Sequence, residues 1–177
     1  MTPTTSSSPC PQIKGSWKKH CVSASRWKSR RRWQRLLELL QAAFAYQEHR
    51  IDPPSSVHAL DVGSLSEKAR EEHLFLAHAD GDLAGCVFAA KQTSALYVSK
   101  LAVRPHLQGR GVGRRLMGAV EEFARQSGQA LLELNTRIEL TENHRTFERL
   151  GFVKVAEHAH EGFDWPTYVT MQKRVGS

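Results

Sequence analysis

The chain has 177 residues, 40% of them hydrophobic and fourteen aromatic, which suits one domain with its own core and excludes disorder throughout. No apolar run reaches the roughly 18 residues of a membrane helix, and the N-terminus lacks the apolar segment of a secretory signal. The net charge of +7 is uneven: residues 1–35 hold nine Lys or Arg and no acid, leaving sixteen bases against eighteen acids beyond them.

The high charge therefore belongs to a leader. Residues 1–12 are mostly Ser, Thr and Pro with little to bury, so 1–32 reads as a basic, largely disordered leader and 33–177 as the domain. Such an arm is usually a solvated segment. Nucleic-acid binding through it is the less favoured reading, since no interleaved aromatics or recognition helix accompany it. Cys10, Cys21 and Cys86 form no CxxC pair, and His73 and His78 lack a carboxylate at ligand spacing. No metal site is expected, and a reducing, cytoplasmic location is.

From Trp33 a helical period appears: Trp33, Leu36, Leu37, Leu40, Ala43 and Phe44 share one face. The helix should end before Asp52-Pro53-Pro54, because proline pushes the preceding residue out of the α region. Ser64-Leu-Ser-Glu67 offers a capping box for a second short helix. Leu74–Ala79 alternates up to the turn dipeptide Asp80-Gly81, Leu83–Ala90 returns, and Ala95–Val103 makes a third strand.

A Gly- and Arg-rich loop, 104–113, then runs straight into a helix whose face is Leu116, Met117, Val120 and Phe123 and which Gly128 can end. Leu131–Leu134 reads as a short buried strand and Thr141–Leu150 as a helix stopped at Gly151. Phe152–Glu157 and Tyr168–Met171 close the order. The result is an α/β fold: a mixed, mostly antiparallel central sheet with helices on both faces.

The loop carries the chemistry. In Gln108-Gly109-Arg110-Gly111-Val112-Gly113-Arg114-Arg115, three glycines bare the backbone so that successive N–H groups can face one concavity. The N-terminus of the next helix aims its free donors and dipole at the same place, which suits a diphosphate. No Lys-Ser or Lys-Thr follows, so this is not a mononucleotide P-loop. The spacing GxGxG also misses the dinucleotide fingerprint GxGxxG.

Val103-Arg-Pro-x-x-Gln108-Gly-Arg-Gly-Val-Gly113 resembles the Q/R-x-x-G-x-G/A signature of the GNAT family of N-acetyltransferases. The element order is similar, and Asn143-His-Arg-Thr-Phe147-Glu-Arg-Leu-Gly151-Phe152 resembles that family's last helix and Gly-Phe. The resemblance covers roughly residues 33–174 and implies acetyl-CoA as cofactor. It places the pyrophosphate on the amides of residues 108–114 and the pantetheine arm along Leu101, Ala102 and Val103, with Asn143 and Phe147 beside it. It also implies transfer to a primary amine of a small molecule or peptide, and leaves a homodimer open. The alternative is a catalytically silent acyl-CoA-binding module.

Two departures stand out. The family's first strand would fall in 21–32, which is basic and poor in β-formers. Where the family often carries a tyrosine acid, this chain has Phe147. Base work would then fall to Glu133, Glu139, His158 or His160, and Tyr97 is the hydroxyl to consider as acid. The stiff loop Glu48–Ser56 should form an acceptor wall, with Arg50, Asp52 and His158 as the residues that read the acceptor.

Overall fold

The computed structural model describes residues 18–22, 27 and 29–176. The expected disorder of residues 1–12 lies outside them. Seven strands form one sheet: β1 (Lys18–Val22), β2 (His73–Ala79), β3 (Asp82–Lys91), β4 (Leu96–Val103), β5 (Leu131–Arg137), β6 (Val153–His158) and β7 (Tyr168–Arg174). Their order is β1-β2-β3-β4-β5-β7-β6, and only the β4–β5 neighbours run parallel. The helices are α1 (Arg30–Phe44), α2 (Val62–Glu71), α3 (Val112–Gln126) and α4 (Thr141–Arg149). Among the described residues, no helix is long and apolar enough to cross a membrane.

Strand alternation splits the core into two layers. On one face Leu74, Leu76 and Phe88 meet Leu36, Leu39 and Leu40 of α1 and Leu65 of α2. On the other, Phe75, Val87, Leu96 and Val98 meet Leu116, Met117 and Val120 of α3. The expected mixed sheet with helices on both faces is therefore observed.

Two local readings need correction. The cap of α2 is Asp61, not Ser64: Asp61 Oδ1 accepts from the Ser64 amide at 2.7 Å while Ser64 Oγ accepts from the Asp61 amide at 2.9 Å. This reciprocal pair is a capping box one turn earlier than expected. The division at residue 32 also falls inside folded structure. Helix α1 begins at Arg30, and Trp27 is buried, its carbonyl accepting from Trp33 Nε1 at 2.8 Å while the two rings meet edge to face.

Strand β1, doubtful from its residue types, pairs antiparallel with β2 from Lys18↔His78 to Val22↔Leu74. Main-chain ladder bonds along a free sheet edge do not depend on side-chain propensity, so poor β-formers serve. A truncation removing residues 1–22 should melt lower than one removing 1–17. The lost ladder is worth on the order of 2 kcal/mol, or roughly 4–8 °C in a domain of this size. Equal melting temperatures would show that β1 adds nothing.

Candidate active site

Strands β4 and β5 pair only at Leu96↔Leu132 and Tyr97↔Glu133. Beyond that point they diverge. The cause lies on the other side of β4, where the β3 register shifts between Cys86 and Phe88. Lys100 sits in this bulge with φ at 53°, a left-handed conformation that bends the strand away from β5. The gap opens into a cleft of about 1290 Å³ lined by β4, β5, the 108–114 loop, α4 and the segment after α1.

The loop is held from beneath. The Arg104 amide donates to the Ala84 carbonyl at 2.9 Å and its Nε to the Leu83 carbonyl at 2.7 Å, so this arginine is structural. Gln108 Nε2 donates to the Val103 carbonyl at 3.2 Å, closing the turn. Gly109 and Gly111 then adopt left-handed φ values of 74° and 79°, and a Cβ on either would meet nothing within 4 Å. The backbone is thus bare on the cleft side. Gly111 is also the N-cap of α3, whose first amides have no helical partner. The arrangement fits a diphosphate.

Of the residues singled out by sequence, Tyr97, Leu101, Ala102, Val103, Gln108, Gly109, Gly111, Val112, Gly113, Arg114, Asn143 and Phe147 all line this cleft. Arg110 does not; it stands exposed between the two left-handed glycines. Glu133 does not either. It sits where β4 and β5 are still paired, and its Oε2 accepts from Gln172 Nε2 at 2.7 Å.

The expected acceptor-reading trio is also outside the wall. Arg50 is paired with Glu142 at 2.7 Å, and the Asp52 amide donates to Glu139 Oε1 at 3.1 Å. These contacts fasten the segment after α1 to the β5–α4 side. Its cleft-facing residues are instead Ile51, Pro53, Pro54, Ser55 and Ser56. His158 stacks on Tyr168 with ring centres 5.3 Å apart and faces away.

Several cleft residues escaped sequence reading. Tyr46 accepts from Asn143 Nδ2 at 2.9 Å and bridges the end of α1 to α4. Arg137 and Tyr168 line the far end, beside His160, one of the base candidates read from the sequence. The alternation of buried Leu132, Leu134 and Thr136 was the available signal that β5 runs on to Arg137. Phe147 packs its ring edge to face against Phe152, centres 5.9 Å apart, and offers no proton. Tyr97 is half-buried beside Asn135. Burial pushes its hydroxyl above the usual tyrosine range, and the Glu133 and Glu72 carboxylates push the same way.

Comparison with known proteins agrees with this architecture. The sequence profile of the Acetyltransferase (GNAT) family matches residues 33–152. A streptothricin acetyltransferase of Streptomyces lavendulae is 38% identical over 121 residues, 62% of each chain, so the match spans about three fifths of that relative. An IAA acetyltransferase of Azospirillum brasilense is 28% identical over 123 residues, covering 68% of this chain and 78% of that one. Among solved structures, the PaiA N-acetyltransferase of Thermoplasma acidophilum in complex with coenzyme A superposes with a TM-score of 0.71. That likeness covers 90% of this chain and 99% of that one at 13% identity, and it concerns the fold alone.

Proposed function

Because the chain belongs to the GNAT family of acetyltransferases, we propose that it moves an acetyl group from acetyl-CoA to the primary amine of a small molecule or peptide. One observation carries the reading: the bare backbone at Gly109 and Gly111, continued by the first turn of α3 as far as Arg114, opens directly onto the gap between β4 and β5. The amides and Arg114 would hold the pyrophosphate. Leu101, Ala102 and Val103 would flank the pantetheine arm on one side, and Asn143 and Phe147 on the other. Bound acetyl-CoA supplies an acyl group activated as a thioester, whose thiol is acidic enough, near 8.5, to leave as an anion.

The chain's own residues have a modest chemical task. They hold the acceptor nitrogen against the acetyl carbon and keep water out, which by itself removes much of the barrier. With Glu133 engaged by Gln172, an acceptor that arrives as the free amine attacks the thioester carbonyl directly, the C–S bond breaks, and the proton shed by the nitrogen passes to water or to the departing thiolate. Phe147 provides packing in place of the proton that a tyrosine would give. Tyr97 is the phenolic hydroxyl on β4 and stays protonated well into the alkaline range.

The test is release of free thiol from acetyl-CoA with a panel of amines, followed as a function of pH. We expect amine-dependent release with kcat/KM rising to a plateau as the amine loses its proton. A raised Tyr97 pKa means the acid form persists, so a falling limb should not begin below about pH 10. Tyr97→Phe should lower kcat if the hydroxyl assists thiolate departure. Binding of coenzyme A with no thiol release from any amine would instead mark a silent acyl-CoA-binding module and overturn the proposal.

A further inference from the structure

Arg137 ends β5 at the open mouth of the cleft, in register with Tyr168 of β7. Its Nη1 lies 2.9 and 3.0 Å from the two ring nitrogens of His160. Burial and the Arg137 charge push the His160 pKa down, so the imidazole is neutral at pH 7 and can accept from the guanidinium. His160 is itself fixed, its amide donating to Thr167 Oγ1 at 2.9 Å and its Nδ1 lying 2.5 Å from the same oxygen. One edge of the guanidinium is thus clamped in place. The other is not: Nη2 is buried and has no hydrogen-bond partner.

A guanidinium with a buried, unpaired donor is poised for an acceptor atom from outside the chain. Among the described residues, no carboxylate forms an ion pair with Arg137. Asp52 and Glu139 are near enough to favour its charge, but the Glu139 carboxylate already takes the Asp52 amide. A second cation faces the same cleft. Lys100 Nζ donates to Ser56 Oγ at 2.6 Å, and both residues line the wall. Two positive side chains bonded to neutral partners disfavour a polycationic acceptor and favour one bearing negative charge.

We propose that the acceptor is an anionic amine, carrying a carboxylate or phosphonate that binds Arg137 Nη2 while its nitrogen faces the acetyl group. This rests on the acetyl-transfer reading above and narrows its substrate class. The shared chemistry is an oxyanion with a free primary amine a few bonds away. Arg137 is a binding residue here, and His160 a positioning residue that orients it.

The experiment compares acceptors of equal reach: 3-aminopropanoate, 3-aminopropylphosphonate, 3-aminopropanamide and propylamine. Thiol release is measured with wild type, Arg137→Gln and His160→Gln, whose folding is checked by circular dichroism. In wild type, kcat/KM for at least one anionic member should exceed that for the neutral amide and the simple amine roughly ten- to a hundredfold, the range for a hydrogen bond to a charged group. Whether carboxylate or phosphonate leads separates the two oxyanions. Arg137→Gln should collapse the preference towards unity by raising KM for the anionic members, and His160→Gln should weaken it partly.

Equal turnover of anionic and neutral acceptors, or a preference that survives Arg137→Gln, overturns the proposal. If no amine releases thiol, acetyl transfer itself fails, and calorimetric titration of the coenzyme A-saturated protein with the same four compounds still decides. Tighter binding of the anions that is lost in Arg137→Gln supports the site. Indifferent binding removes it.

Discussion

Replacing Gly111 by Val is expected to weaken coenzyme A binding at least tenfold, about 1.4 kcal/mol, while the protein remains folded. Gly111 holds φ at 79° and no protein atom lies within 4 Å of where a Cβ would stand. The side chain would therefore meet no neighbour in the free protein and would project into the space where the diphosphate must approach the amides. A β-branched residue at positive φ is also strained by on the order of 1–3 kcal/mol, which tends to displace the first amides of α3. Gly118→Ala, farther along the same helix and equally unobstructed, is the control. It should raise helix stability by up to about 1 kcal/mol and leave coenzyme A affinity unchanged. Calorimetry showing wild-type affinity in a folded Gly111→Val protein would remove the diphosphate cradle from the account.

The second large effect is expected at Gly85, for the opposite reason. Here φ is unremarkable and space is the constraint. A Cβ would stand 2.7 Å from the Ala102 carbonyl oxygen, 3.1 Å from Leu116 Cδ1 and 3.3 Å from Val112 Cγ1. The first of these is backbone and cannot swing aside. Gly85 lies where β3 pairs with β4 just before the loop and where the first turns of α3 cross the sheet. Gly85→Val should destabilise the fold by roughly 1–3 kcal/mol or more, lowering the melting temperature by about 3–10 °C. Because relief of the clash must move β4 or α3, coenzyme A affinity should fall too. A thermal melt and titration matching wild type would show that the contact relaxes without consequence.

The two glycines differ in how visible they were. Gly111 belongs to a local pattern in which glycine spacing, a leading Gln108 and an immediately following helix are all contiguous, so its role could be read in one dimension. Gly85 sits in an ordinary apolar strand, and nothing in Leu83–Ala90 announces that α3 and a carbonyl of β4 press on it.

The same distinction runs through the molecule. Periodicity located α1, β2 and α3, and turn, cap, glycine and composition signals marked out strands β3 to β7 and helices α2 and α4, because such signals are local properties of a segment's own residues. The cofactor side of the cleft was likewise legible, since one continuous strand-loop-helix segment builds it. Tertiary structure alone decided the rest. Strand β1 forms because β2 offers a free edge, an attribute of β2 and not of Lys18–Val22. Arg50 and Asp52 have the right chemistry to read an acceptor, but Glu142, about ninety residues away in sequence, engages the Arg50 side chain, and Glu139 holds the Asp52 amide so that neither residue lines the cleft. Glu133 is diverted by Gln172 of β7 in the same manner. Arg137 gains its unpaired donor only because His160, on the hairpin between β6 and β7, engages Nη1 while no described residue pairs with Nη2. Backbone conformation is written over a few adjacent residues, whereas the availability of a polar side chain depends on partners that the fold brings from elsewhere in the chain.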